Sequence, residues 1–280
     1  AQQQFNRAMS FYHSFAWDPA RKAFDAVLAA DPKCGMAHWG QALTNLDNPF
    51  VWPSNLGPAV MKKGAEALRA ARETGLADAR DRAYVDALER LYADHDKIDH
   101  RTRAKALEDA LARIASDYPS DTEASILHAL VLSANFDPSD KNYGNQLAAA
   151  RILEPIFAKQ PDHPGVAHYL IHSYDYPPIA GRGLGAARSY AKIAPGAPHA
   201  LHMPSHIFTR VGDWRASVES NASSANSAPE GSMNRMHAYD YMVYAHLQGG
   251  EDAAAERVIA ESARTSGYAD NFAVAFALAA

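Results

Sequence analysis

Six of the chain's thirteen histidines fall between His163 and His206, in a stretch under a sixth of its length. They recur at helical spacing. His168 and His172 are four residues apart and Asp175 follows three later, which places all three along one stripe of a helix. His199, His202 and His206 stand at i, i+3 and i+7, a second stripe. Neutral imidazole is the commonest side-chain ligand for transition metals. Three or more imidazoles with a carboxylate suit zinc, copper, iron or nickel, and ligand softness alone does not choose among them. One pair of histidines at i, i+4 is weak evidence for a metal. Two such pairs with further His and Asp are stronger, because several desolvated imidazoles repel one another once charged and need a reason to converge. The competing reading is histidine packed on a half-buried helix face, donating to a carboxylate or stacking on tyrosine. For any single residue that reading weighs more; for the set it weighs less.

The spacing therefore nominates His168, His172, His202 and His206 as leading metal ligands, with His199 and His237 next. Asp175, Asp240 and His38, with Tyr169, Tyr241 and Arg210, are candidates for orienting those ligands or contacting a substrate. Copper and zinc lead as the bound ion, and iron also fits. Five or six imidazoles exceed the needs of one tetrahedral ion, so some act from outside the coordination sphere or serve a second metal. With an open coordination position, such a centre would activate water for hydrolysis or, holding copper or iron, bind oxygen.

The elements that carry these residues are helices, since alanine is abundant and β-branched runs bounded by turn residues are nearly absent. Ala8, Phe11, Ala20 and Phe24, followed by Asp31 and Pro32, have the small-and-aromatic spacing of a tetratricopeptide repeat (TPR) helix pair closed by proline. Similar closures recur as DYPSD at 117–121, KQPDHP at 159–164 and APGAP at 194–198. The turn inside a pair recurs as Gly212-Asp213-Trp214 and Gly250-Glu251-Asp252. The expected fold is all-α, a TPR-like superhelical solenoid of about five to seven helix pairs forming one domain over 1–280.

Counting each pair from its own turn, His199, His202 and His206 take the second, fifth and ninth positions of a first helix. His168 and His172 take the fifth and ninth of the pair before, and His237 and Asp240 the second and fifth of the pair after. In TPR folds these positions line the concave groove, so 163–246 reads as a histidine-rich groove and His38 faces inward from an early pair. The segment 59–117 reads as charged, helical scaffold, with His95 and His100 in its polar turn. Two stretches rich in proline and aromatics, 45–55 and 173–185, are non-helical loops that either line a site or plug the groove. Pro204 lies inside the second stripe and either starts a helix or kinks one. If it starts the helix, His199 and His202 come from the loop before it.

The totals exclude several classes. The formal net charge is −5 and no basic run suggests nucleic acid. Cys34 is the only cysteine, so there is no internal disulfide and no thiolate cluster. No apolar run approaches the roughly 20 residues of a transmembrane helix. GRGLG at 181–185 lacks the preceding strand and the Lys-Ser/Thr of a phosphate loop, and no GxSxG elbow is present. The first residues, AQQQFN, read as a mature end left by signal-peptide cleavage, which favours a periplasmic or secreted protein over a cytoplasmic one. The last, FAVAFALAA, read as an apolar helix without a polar cap, so the chain continues beyond it or packs there on a partner subunit.

Four blocks, DPKCGMAHWGQAL, HPGVAHYLIHSYDYPP, YAKIAPGAPHALHMPSHIFTRVGDW and HAYDYMVYAHLQ, are similar to a bacterial TPR-containing family, and the similarity spans nearly all of the chain. The resemblance implies the TPR fold and carries no activity with it. Members often have His-Pro in the early loop, where this chain has Asn48 and Pro49; they also tend to be longer. Two functions remain open. One is a metalloprotein whose groove holds a His-rich transition-metal centre, with hydrolytic or oxidative chemistry. The other is a module that binds a peptide or small molecule in the groove without catalysis. TPR peptide clamps use Asn, Lys and Arg; this groove is lined by His, Tyr and Asp.

Overall fold

A computed structural model of the protein describes residues 1–267. Among them the regular secondary structure is helical, with no strand. Contacts divide the chain into two compact units, 1–161 and 162 onward. The division falls within the KQPDHP closure. The terminal FAVAFALAA, read above as an uncapped apolar helix, lies outside the described residues.

The first unit contains α1 (Gln2–His13), α2 (Trp17–Ala30), α3 (Gly35–Asn45), α4 (Pro58–Thr74), α5 (Ala79–Tyr92), α6 (His100–Asp117), α7 (Thr122–Ala134) and α8 (Gly144–Lys159). Helices adjacent in sequence pack as neighbours. Of the small-and-aromatic set read from the sequence, Ala8, Ala20 and Phe24 are fully buried and Phe11 is half-buried. Phe24 lies so close to α3 that a Cβ at Gly40 would come within 2.2 Å of its ring, so only glycine fits there. Short polar side chains start several helices by accepting an orphan backbone N–H: Asp78 from Asp81, Asp99 from Thr102 and Asp121 from Glu123. The span 59–117 is occupied by α4, α5 and α6, as the scaffold reading expects. His95 is exposed in their connecting turn, and His100 lies edge-on to Trp52, ring centroids 5.8 Å apart. The loop at 45–55 contains a short 3₁₀ turn, Pro49–Val51. The Trp52 indole Nε1 donates to the Leu46 carbonyl at 3.0 Å, which holds the loop against its own unit.

The second unit contains α9 (Pro164–Tyr174), α10 (Leu184–Ile193), α11 (Pro198–His202), α12 (Pro204–Val211), α13 (Trp214–Ser227), α14 (Met233–Gln248) and α15 (Asp252–Ser262). Helix α9 is its centre: residues 165–171 are all buried. Prolines 164, 198 and 204 each open a helix, where a missing N–H costs nothing. Gly212, at φ 77°, ends α12 in the left-handed conformation that glycine takes most readily. Asp213 then caps α13 by accepting from the Ala216 N–H. The Gly-Asp-Trp turn is thus a helix stop followed directly by a helix start. The irregular stretch at 173–185 contains a 3₁₀ turn, Ala180–Gly183. A Cβ at Gly183 would lie 2.7 Å from Ile207 of α12, so the loop packs closely on that helix.

Candidate metal centre

The six nominated imidazoles gather in the second unit, and they gather as two trios. His168, His172 and His199 form one; His202, His206 and His237 form the other. In each trio the donor nitrogens lie within 4.8 Å of one another, so each is a group that could hold a metal ion. One imidazole per trio, His168 or His202, is buried, and the other two are half-buried. The four leading candidates thus do not make a single quartet. They divide between the trios, and His199 and His237 complete them.

Local structure explains the division. Helix α9 carries His168 and His172 one turn apart. Their Nε2 atoms are 3.1 Å apart, and His168 Nε2 is also 3.1 Å from His199 Nε2 on α11. The Tyr190 ring of α10 stacks on His168 at 5.1 Å and 13°, which fixes the imidazole plane. The second pair crosses the junction at Pro204. Met203 keeps helical dihedrals, φ −52° and ψ −35°, so the register passes through the proline although a backbone hydrogen bond is missing. His199 and His202 therefore belong to a helix, and the stripe survives as a kinked one. His202 Nε2 and His206 Nε2 face each other at 2.9 Å. His237 comes from α14, its ring centroid 4.5 Å from that of His202.

The other ring nitrogens show which tautomers these are. Asn221 Nδ2 donates to the Ser217 carbonyl at 2.8 Å, which turns its Oδ1 toward His202 Nδ1 at 2.6 Å. Nδ1 is then the protonated nitrogen, and Nε2 presents a lone pair. His206 Nδ1 lies 2.8 Å from Asp175 Oδ2, so its Nδ1–H donates to the carboxylate. The other oxygen of Asp175 accepts from Arg210 Nε at 2.8 Å. With both rings neutral, two lone pairs thus face each other at 2.9 Å, an arrangement that a shared proton or a metal ion bound by both nitrogens relieves. In the first trio, two nitrogens contest His168 Nε2, which has a single in-plane proton or lone pair to offer. An ion at the common focus would serve all three. Nitrogens on a tetrahedral ion with bonds of about 2.0–2.1 Å are about 3.3 Å apart, against 3.1 Å from His168 to each partner and 2.9 Å between His202 and His206.

Electrostatics keep most of these rings neutral and ready to ligate. Burial, followed by the neighbouring imidazoles, holds His172, His199 and His202 well below the ordinary histidine value. Burial and His206 bring His237 down to about 4. Burial alone would raise Asp175, but His206 and Arg210 outweigh it and hold the carboxyl below its usual range.

The remaining nominated residues vary in proximity. Tyr241 packs its ring on His202, His206 and His237, centroids 4.9–5.1 Å away. Its hydroxyl is 3.3 Å from His206 Nδ1, a second neighbour for that nitrogen beside Asp175. Tyr169 is fully buried, its ring 5.3 Å from His168. Asp240 stands 3.9 Å from His237 Nδ1, beyond a hydrogen bond, and burial raises its carboxyl. His38 belongs to the other unit, where its Nδ1 meets Gln41 Oε1 at 3.1 Å. Asn221 and Tyr190 were not foreseen. Asn221 sits in a Ser- and Ala-rich helix with nothing in its spacing to mark it, and Tyr190 reads as one core aromatic among many.

Compared with known proteins, the chain matches no protein-family model, and a search of curated proteins finds no match either.

Proposed function

We propose that the protein is a TPR-like metalloprotein whose second unit binds transition-metal ions through histidine alone, and that this centre is catalytic. One observation carries the reading: His202 and His206 are each bonded outward through Nδ1, which aims two bare Nε2 atoms at one another across 2.9 Å. The carboxylate–histidine arrangement at Asp175 and its amide counterpart at Asn221 are the supports that raise ligand basicity and fix ring orientation in metal sites. Three nitrogens per ion leave a coordination position for water or substrate, the requirement for hydrolytic or oxidative chemistry. Copper and zinc are the leading ions for an all-imidazole set, which iron and nickel also suit. The same helical surface would otherwise serve as a peptide-binding groove.

Untagged protein purified without chelator should carry a transition metal in stoichiometric amount, measured by elemental analysis. After stripping, it should take the ion up again in a titration, and His206→Ala should lower the content. A wild-type chain that holds only trace metal and takes none up would refute the reading and leave the groove as a binding surface.

A further inference from the structure

The two trios are not independent sites placed at random. His168 and His202 are 34 residues apart, as are His172 and His206. Each trio takes an i, i+4 pair, from α9 in the first and across the α11–α12 junction in the second, and its third imidazole comes from a later helix: His199 from α11, His237 from α14. The α11–α12 segment serves both. It gives His199 to the first trio and His202 with His206 to the second. His199 and His202 are therefore one helical turn apart, and their ring centroids are separated by 6.3 Å. The same 6.3 Å separates His172 from His206. These two pairs, each joining one trio to the other, are thus no farther apart than His206 and His237 within one trio, at 6.4 Å.

Charge decides what such a pair of ions requires. Six neutral imidazoles bring no negative charge to two dications. Asp175 reaches the site only through the His206 ring and is already paired with Arg210. Asp240 stands off at 3.9 Å from His237. Two adjacent dications in a partly buried site repel each other strongly unless an anion lies between them. Each ion, with three ligands, keeps a position open to receive it. His172, His199, His206 and His237 are half-buried, so the trios are not sealed from solvent.

We propose that the two trios form a single dinuclear centre whose ions are spanned by one small exogenous anion, of the hydroxide, azide or peroxide class. The proposal rests on the metal-binding reading above and adds to it the number of ions, their coupling and the class of ligand. Copper(II) and azide are the probes. Stripped protein titrated with copper(II) should bind about two ions per chain. Added azide should reduce the electron paramagnetic resonance intensity to below about a tenth of the spins expected from bound copper, because a shared bridge pairs the two electrons. His237→Gln alters a half-buried member of the second trio, and circular dichroism would check that the fold is kept. It should retain about one copper with its full spin, unchanged by azide. No copper uptake would remove the metal reading itself. A single ion in the wild type, or two ions whose full spin persists with azide, would overturn the dinuclear proposal and leave metal binding standing.

Discussion

Asn221 does for His202 what Asp175 does for His206: each holds Nδ1, so that Nε2 points into its trio. Replacing Asn221 with leucine keeps the branched shape and removes the acceptor, leaving a buried N–H unpaired. The expected result is a loss of about 1–3 kcal/mol in urea unfolding of the metal-free protein. A chelator competition should also show metal affinity about 10–100-fold weaker. Asn221→Asp, which keeps the acceptor, should retain most of the affinity. His172 and His206 permit a second test. The sequence placed them in one four-histidine set, for which losing both would be little worse than losing one. Because they sit in different trios, His172→Ala and His206→Ala should each remove about one ion by elemental analysis, and the double variant should remove both. The types and spacing of the histidines were therefore legible, but their partition was not. Spacing along a helix says which residues share a face, and the third ligand of each trio comes from another helix.

Helix α12 shows how much of an element a sequence can declare. Its glycine stop was readable from the Gly-Asp-Trp turn, whereas Pro204 could equally start a helix or kink one. Pro204 left open whether the preceding residues were helical. The structure resolves this through Met203, whose helical dihedrals carry the turn onward. Proline abolishes one hydrogen bond without forbidding the conformation. The close fits on either side, such as Gly183 against Ile207, depend on tertiary packing that no local pattern encodes. Gly212 is where local chemistry dominates. Gly212→Ala would force a Cβ into φ 77° and should destabilise the protein by about 1 kcal/mol in denaturant unfolding. The metal content of the folded variant should not change, because Gly212 lies in a turn and belongs to neither trio.

Across the whole molecule, the all-helical class followed from composition, since alanine-rich stretches without β-branched runs leave little alternative. The division at residue 161 did not, because its closure looks like the others. The buried imidazoles give the protein a pH dependence of its own. His172, His199, His202 and His237 are all held below their ordinary value when folded. Below about pH 6.5 the unfolded chain binds protons that the folded, metal-free protein refuses, so stability falls as pH drops. For His237 the loss is complete near pH 4, where the folded ring also titrates. The urea midpoint of the stripped protein should therefore be level above about pH 7 and decline steadily between about pH 6.5 and 4. Added metal should raise it at neutral pH and cease to do so in acid, because ligation requires neutral rings.

The α11–α12 segment, common to both trios, makes the ligand set a rule rather than a list. Imidazole at the fifth and ninth positions of one first helix, followed by imidazole at the second position of the next, closes a trio. The rule is satisfied twice and then stops, because Asp240 and Tyr244 occupy the places where the following pair would continue it. If the trios bind metal as proposed, the number of ions follows from how many successive helices keep the pattern, and copying one helix pair with its histidines should add one more trio.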